Sequence, residues 1–372
     1  MKNNALRPRS FIQATIVIAS ALVELTCSAT AADPRVALEK LGGSCVENAS
    51  GQVVTLDLSR SWLTDADLKW ASALPHLESI NLAYTKVSDL GLEHLAPLKN
   101  VKRLNLYFAE SVSDLGIAHL KHWQHLEFLN LRGTKVTSTV FEHASRFTEL
   151  RFLDVGFSRV NDDSFELLDS LPNLEHLAFG GNKMSGVCLP LLKALPALKS
   201  LSLAGQQRTD SGLWSVALTD FNVTHVAALQ HLESLDVSET NLADRGLAEI
   251  ARLTNLHSLN LSKTRVTSQG LSSLARLPHL RRLKLWKVDA VDDSAIDHLL
   301  AMSALETLEI SETSVSYAGL SRLTLHKGLS RLYIGGVTLT SAQLEDLRKS
   351  LPGCEISWWV KPSIEYPEAP RR

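Results

Sequence analysis

One phrase recurs along the chain and constrains its fold more than any other feature. The segment LNLSKTRVTSQGLSSL at 259–274 returns with few changes as INLAYTKVSDLGLEHL at 80–95, LNLRGTKVTSTVFEHA at 129–144 and LEISETSVSYAGLSRL at 308–323. Alignment of the copies gives about twelve units over 53–353, most of them 24 residues long. A fixed period of this length predicts a stack of similar coils, because one short unit cannot bury its apolar residues alone.

Each unit opens on the pattern L-x-x-L-x-L. The units begin at Val53, Leu77, Val101, Leu126, Leu150, Leu174, Leu198, Leu232, Leu256, Leu280, Leu305 and Leu329. In a strand, the fourth and sixth residues of this pattern face one side, and the third, fifth and seventh face the other. The pattern therefore predicts one rung of a parallel sheet per unit, with its leucines turned towards a shared core.

Polar residues mark the turn and the helix start that follow each strand. The ninth position holds a side chain that can bond the turn backbone, such as Thr85, Ser158 or Asn182. Ser, Thr, Asn or Asp then occupies almost every expected helix cap, including Thr209, with Ala243 as the exception. Leucines at helical spacing follow, so we expect one helix per unit, packed on the sheet.

These units resemble the leucine-rich repeat family over roughly 53–357. The form T-x-V-T-D-x-G-L-x-x-L after the strand is similar to repeats of bacterial secreted proteins and of F-box-associated, ribonuclease-inhibitor-like proteins. The resemblance implies an α/β solenoid, or horseshoe, with a parallel sheet on its concave side and helices on its convex side. It also implies a binding module, and it leaves the ligand open because such repeats vary the residues that contact partners.

The flanks of the array are expected to close its two ends. Residues 32–52 predict an N-terminal cap with a short amphipathic helix and a strand, and 354–360 predict a C-terminal cap in which Trp358 and Trp359 cover the last leucines. The proline-rich segment 361–372 is expected to be disordered.

The first 31 residues have the pattern of a secretory signal peptide. Lys2, Arg7 and Arg9 precede a short apolar run at 11–23, and the sequence Ala-Thr-Ala at 29–31 fits a cleavage site. The run is too short for a comfortable membrane span. We therefore expect residues 1–31 to be removed on export to the periplasm, cell surface or exterior, although an uncleaved N-terminal anchor is an alternative.

The seventh repeat, 198–231, is irregular because it carries about ten extra residues. Its segment 211–231 is expected to place them as a longer helix or an excursion on the convex side. An insertion of this kind can also carry function, so its role stays open at this stage.

The sequence offers little support for chemistry. It contains no nucleophile elbow, phosphate-binding loop or zinc-protease motif, so we expect no enzyme and no cofactor. The histidines just before strands, His76, His125, His231 and His279, lie in separate repeats, and no cysteine spacing fits zinc, so no metal site is expected. A net charge of −2 gives no reason to expect nucleic acid as a partner.

A charged zone is the first candidate site on the concave face. Repeat ten carries five candidate residues, namely Arg281, Arg282, Lys284, Trp286 and Lys287. Repeat eleven places glutamates in matching columns, at Glu306, Glu309 and Glu312. The zone is either a docking patch for a charged partner or a ladder of ion pairs between neighbouring strands.

Aromatic rows form the second candidate site. The candidates are Tyr84, Tyr107, Phe108 and Phe157 near the strand ends, Phe128 and Phe152 at the third position, and a polar stripe of Asn105, Asn130 and Asp154 between them. Rings that flank amides and a carboxylate can hold a peptide or a sugar, and exposed aromatic residues are typical of interfaces. The alternative is simple stacking of neighbours along the sheet.

The sequence thus favours an exported, non-enzymatic scaffold that binds a protein or peptide on its concave face. Carbohydrate or cell-wall binding through the aromatic rows is the first alternative. A substrate adaptor of a ubiquitin ligase is the second, and it is disfavoured by the signal peptide and by the lack of an F-box-like segment before the array.

Overall fold

The computed structural model describes residues 33–359, so the predicted signal peptide and C-terminal tail lie outside the described residues. One 14-stranded sheet runs through this part of the chain, and a separate two-stranded hairpin accompanies it. The strands are β1 Ser44–Glu47, β2 Val53–Asp57, β3 Ser79–Asn81, β4 Arg103–Asn105, β5 Phe128–Asn130, β6 Phe152–Asp154, β7 His176–Ala178, β8 Ser200–Ser202, β9 Gln207–Thr209, β10 Gly212–Trp214, β11 Ser234–Asp236, β12 Ser258–Asn260, β13 Arg282–Lys284, β14 Thr307–Glu309, β15 Arg331–Tyr333 and β16 Glu355–Ser357.

A helical segment follows the strand in each repeat. The α-helices are α1 Pro34–Lys40, α2 Lys69–Ser72, α3 Asp89–Leu95, α4 Asp114–His119, α5 Val140–Ala144, α6 Val223–Ala227, α7 Asp244–Ile250, α8 Ile296–Leu300, α9 Tyr317–Leu323 and α10 Ser341–Ser350. Several repeats use tighter 3₁₀ turns, at Asp65–Leu68, Phe165–Ser170, Leu189–Ala194, Gly270–Arg276 and Asp293–Ala295. No helix within residues 33–359 combines the length and apolar character that a membrane crossing requires.

The parallel sheet is strictly in register, which confirms the predicted solenoid. From β2 onwards, each strand pairs with the corresponding residues of the next repeat, as Leu235 does with Leu259 and Leu259 with Leu283. These leucines are at most 1% exposed. Burial of one such side chain contributes about 1.5–3 kcal/mol, which a repeat gains only when its neighbours are folded.

The turn after many of the repeat strands is held as the sequence predicts. The Oγ1 of Thr85 donates to the carbonyl of Leu82 at 2.7 Å, and Thr134, Thr240, Thr264 and Thr313 make the equivalent bond in their own repeats. The ninth-position hydroxyl therefore satisfies a carbonyl that has left the sheet ladder.

The aspartate of the repeated motif links one repeat to the next. Asp65 accepts hydrogen bonds from the backbone N–H of Ser88 at 2.7 Å and from its hydroxyl at 2.5 Å. Asp89 and Asp114 bond the caps of their following repeats in the same way. Each carboxylate thus satisfies the start of the neighbouring helical segment, where an anion is favoured.

The glycine of the same motif makes room for that carboxylate. A Cβ built on Gly116 would lie 2.6 Å from Oδ1 of Asp89, and one built on Gly270 would overlap Oδ1 of Asp244. The glycine of one repeat is therefore required by the aspartate of the repeat before it, rather than by its own backbone conformation.

An N-terminal and a C-terminal element close the two ends of the sheet. At the N-terminal end, β1 pairs antiparallel with β2, and Leu38 of α1 is fully buried. At the C-terminal end, β16 pairs with β15, and Trp358 packs against the core while its Nε1 donates to the carbonyl of Val337. Trp359 stays 42% exposed, so the prediction that both tryptophans cover the core holds only for Trp358.

The expected place of the insertion in repeat seven is wrong. The extra residues form a hairpin of β9 and β10 directly after β8, and the chain rejoins the frame where Val216 bridges to Met184. Thr209 accordingly lies in β9 and caps no helix. The helical spacing of 211–231 misled the prediction because α6 begins only at Val223.

The aspartate–glycine coupling predicts a non-additive pair of substitutions. We expect Gly270→Ala to lower the free energy of unfolding by about 1–3 kcal/mol, because the new methyl group displaces the Asp244 carboxylate from Thr267. In an uncrowded helical segment the same change would stabilise by about 1 kcal/mol. Urea unfolding of both single variants and of Asp244→Ala/Gly270→Ala should show the double variant less destabilised than the two single effects combined. Additive effects would contradict the coupling.

Candidate functional site

A left-handed residue ends the strand segment of every repeat. The eighth position has a positive φ throughout, and eight of its twelve occupants are not glycine: Arg60, Tyr84, Phe108, Phe157, Glu239, Lys263, Lys287 and Glu312. The N–H of this residue donates to the next repeat, as Phe108 does to the carbonyl of Arg132 at 2.7 Å. The conformation thus turns the chain while it keeps the ladder, and it costs roughly 1–2 kcal/mol for a residue with a Cβ.

Large eighth-position side chains lie over the following repeats. The ring of Phe108 occupies the space that a Cβ on Gly133 would need, and the ring of Phe157 does the same at Gly181 and Gly205. Gly133, Gly181 and Gly205 therefore leave room for the ring of an earlier repeat. Their positive φ alone does not require glycine, since other repeats have a side chain at the same φ.

The first predicted aromatic group is a real cluster. The rings of Tyr84 and Phe108 stack with centroids 5.7 Å apart, and Tyr107 meets both rings edge-on at 5.2 and 4.8 Å. The guanidinium of Arg60 lies over Tyr84, and that of Arg132 lies 4.2 Å from the centroid of Phe157. Burial raises the pKa of the Tyr107 hydroxyl, and the Tyr84 hydroxyl adds to the shift.

The third-position row is longer than the sequence indicated. Phe128 stacks on Phe152 at 4.2 Å, and His176 continues the stack at 4.3 Å, nearly parallel to Phe152. Arg103 closes the other end with its guanidinium 4.2 Å from the Phe128 centroid. Burial lowers the pKa of His176, which favours the neutral ring. Four neighbouring strands, β4 to β7, therefore present one continuous π stack on the open face of the sheet.

The polar stripe between these rows stabilises the backbone where each strand ends. The side-chain oxygens of Asn105, Asn130 and Asp154 each accept the backbone N–H two residues later, at 3.1, 3.0 and 2.8 Å. Asp154 is only 8% exposed. Burial raises its pKa, while Arg132 and the N–H of Gly156 oppose the shift. These side chains fix the strand exit, and their oxygens are already engaged.

The charged zone is largely neutralised within the sheet. Arg281 pairs with Glu306 at 3.1 Å and Lys287 with Glu312 at 3.6 Å, which supports the ladder interpretation at two of its three rungs. Lys284 lies beside Glu309 in the register, yet within residues 33–359 they form no ion pair. Arg282 is exposed on the same strand.

Trp286 is also accounted for by its neighbours. Its ring lies between the ammonium groups of Lys263 and Lys287, at 4.7 and 4.5 Å from its centroid, and its Nε1 donates to Glu312 at 3.0 Å. Lys263 in turn pairs with Glu239 at 2.5 Å. The candidate site therefore splits into two groups, since three strands separate β7, the last strand of the π stack, from β13.

Metal ligands and disulfides do not assemble in the described part of the chain. No group of three or more His, Cys, Asp or Glu residues within 33–359 is arranged to hold a metal ion. Cys188 and Cys354 carry free thiols, and burial raises the pKa of Cys188 far above its usual range.

Sequence reasoning missed Trp62, an exposed residue in the turn that follows β2. Trp62 is 86% exposed and lines a pocket of about 480 Å³ with Arg60, Tyr84 and Lys86. It occupies the tenth position of repeat one, where the next repeats carry Lys86, Glu110, Lys135, Arg159 and Lys183. A tryptophan in a column of charged residues was a readable signal.

Comparison with known proteins agrees with this architecture. A family model described as a leucine-rich repeat matches residues 73–96, 228–251 and 252–275. A search of curated proteins by sequence gives no match.

Two solved structures, an internalin and a chain of the Rad7–Elc1 complex, show the same fold at low sequence identity. An internalin of Listeria monocytogenes is 17% identical, with a TM-score of 0.52, over 88% of this chain and 94% of that one. A chain in the Rad7–Elc1 complex of yeast is 16% identical, with a TM-score of 0.55, over 81% of both chains. A leucine-rich repeat protein of Leptospira interrogans is 20% identical over 78% of this chain and 74% of its own, with a TM-score of 0.47. With its in-register leucine strands and these family matches, the chain is a leucine-rich repeat protein.

Proposed function

We propose that this protein is an exported, non-enzymatic scaffold that binds a protein or peptide on the open, concave face of its sheet, through strands β4 to β7. The observation that carries the proposal is the continuous stack of Arg103, Phe128, Phe152 and His176. Aromatic residues and arginine are enriched at protein interfaces, and the few residues that dominate the binding energy are often Trp, Tyr or Arg. A half-exposed row of them, held rigid by stacking, is suited to that task.

The charged zone of repeats ten and eleven supports the proposal less than the π stack does. Its ion pairs and the lysines around Trp286 satisfy one another, so binding there would first break existing contacts. Exposed pairs of this kind contribute about 0–1 kcal/mol each, which makes them a poor source of affinity. Arg282 and Lys284 are the remaining exposed cations of that strand and are suited to a peripheral contact.

The comparisons support a binding role in general terms. Rad7, one of the similar folds, was solved as a complex with Elc1. A repeat array stabilised by neighbour contacts leaves its outward side chains free to vary, and an extended sheet face is well matched to a protein surface.

A matched pair of variants tests the binding face. We expect Arg103→Gln/Phe128→Leu to weaken partner retention at least about tenfold, equivalent to 1.4 kcal/mol, because it removes the cation and one ring of the stack while it keeps apolar bulk. The measurement is affinity capture from an envelope extract with the chain from Ala32, followed by titration of the retained protein.

The control is Arg146→Gln/Phe221→Leu, which makes the same two replacements at exposed positions away from the strands. It should retain the partner as the unaltered chain does. Equal retention by both variants, with unchanged thermal unfolding, would refute the assignment of the face.

Export is tested separately from binding. We expect a bacterial host to release a chain that begins at Ala32, because Ala29 and Ala31 provide the small side chains that a signal peptidase accepts. Intact-mass spectrometry of the exported protein would show the loss of residues 1–31, and Ala31→Lys should keep them attached. A full-length chain confined to the cytosol in both cases would overturn the proposed export.

A further inference from the structure

The hairpin of repeat seven leans back over earlier repeats. Two hydrogen bonds from Gln206 to Glu239 anchor its base. The backbone N–H of Gln206 donates to Oε2 of Glu239 at 3.2 Å, and Nε2 of Gln206 donates to the carbonyl of Glu239 at 2.8 Å. On the other side, the bridge from Val216 to Met184 ties it to repeat six. With both ends fixed, β9 and β10 stand over the turns of repeats three to five.

A cleft of about 760 Å³ lies between the hairpin and these turns. Phe108 and Phe157 form one wall, on either side of Gly133, and Trp214 of β10 faces them. The indole N–H of Trp214 donates to the Ser211 hydroxyl at 3.0 Å, so its ring is held in place. The size fits a few residues of an extended peptide with one or two side chains inserted.

The turns beside the cleft carry an unbalanced charge. We define the exit-turn edge as the eighth to tenth residues of repeats one to six. Its charged residues are five cations, Arg60, Lys86, Lys135, Arg159 and Lys183, and one carboxylate, Glu110, all of them exposed. None of these six forms an ion pair within residues 33–359. The whole chain has a net charge of −2, whereas the charged residues of this edge, five cations and one carboxylate, are mostly positive.

We propose that the exit-turn edge and the hairpin cleft form a second site, which takes an acidic segment of a protein partner and inserts an aromatic or apolar side chain of that segment under β9 and β10. The proposal deepens the proposed binding function and rests on it for the protein nature of the partner. A row of unpaired cations attracts Asp- or Glu-rich sequence, and the rings of Phe108, Phe157 and Trp214 offer an apolar contact within that field. Lys135 and Arg159 line both the edge and the cleft, so they join the two parts, and the carboxylates of Glu110 and Asp210 also line the cleft.

A copolymer of glutamate and tyrosine, fluorescently labelled, is the probe for this site. We expect anisotropy titration to show saturable binding to the full chain that weakens with added salt, as interactions between exposed charges do. Lys135→Glu/Arg159→Glu should weaken it at least about tenfold. The control Lys121→Glu/Arg146→Glu makes the same change in net charge at exposed positions that follow the helices of repeats three and four, and it should bind as the unaltered chain does.

A second variant tests the cleft without changing charge. Trp214→Ala should weaken binding of the glutamate–tyrosine copolymer but leave the weaker binding of polyglutamate unchanged, because only tyrosine enters the cleft. Equal loss with both charge-reversal pairs, or no binding of the copolymer to the unaltered chain, would overturn the proposal. An equal effect of Trp214→Ala on both polymers would remove the cleft from it.

The two proposals fail in distinguishable ways. Arg103→Gln/Phe128→Leu should bind the copolymer normally, since neither residue lines the cleft. If the concave face captures no partner while the copolymer results hold, the exit-turn site stands and the proposed binding face falls. The reverse pattern removes only the exit-turn site.

Discussion

Pairing of each strand with the corresponding residues of its neighbour is the constraint on which the rest of this protein depends. A strand of three residues has no stability alone, and its leucines find a core only between two other repeats. The same register repeats the Asp-to-cap link along the outer side, where Asp65 bonds Ser88 and Asp89 bonds Ser113. The residues of the repeated motif therefore serve contacts between neighbouring units, and the motif cannot be explained from one unit alone.

In the left-handed turn, the free-energy cost of the backbone conformation is close to the stabilisation from the hydrogen bond that it allows. A residue with a Cβ at positive φ costs roughly 1–2 kcal/mol, while the hydrogen bond that its N–H makes to the next repeat contributes about 0.5–1.5 kcal/mol. Glycine would lower the cost, yet eight of the twelve positions carry a larger side chain. The added contacts of those side chains offset the difference, as when Phe108 covers Gly133 and stacks on Tyr84. The column that costs stability is thus also the column that presents rings and charges at the edge of the sheet.

Much of this could be read from the sequence because the period assigns each residue a place. The strands follow from the L-x-x-L-x-L pattern of every unit, and the ninth-position hydroxyl bonds the turn in many of them. The reason for the motif's glycine could not be read in this way, because the atom it avoids, Oδ1 of Asp89 in the case of Gly116, belongs to another unit. The neutralised surroundings of Trp286, a seventh-position residue, could not be read from its own column, because the eighth-position side chains Lys287, Glu312 and, from the preceding repeat, Lys263 supply them.

The hairpin was misplaced for a different reason, and that reason bears on function. Inside the array, the repeat period predicts the structure of each residue. An insertion does not follow this period, so its position can be found only from the point where the chain returns to the register, at Val216. The repeats themselves keep the eighth to tenth residues at the edge of the sheet, where an insertion can stand over them without disturbing the core. An insertion there gains a wall of fixed rings and cations from the repeats it covers, at the cost of a few anchoring bonds such as those from Gln206 to Glu239. The cleft thus forms between the regular turns of repeats three to five and the inserted hairpin, and no single repeat contains it.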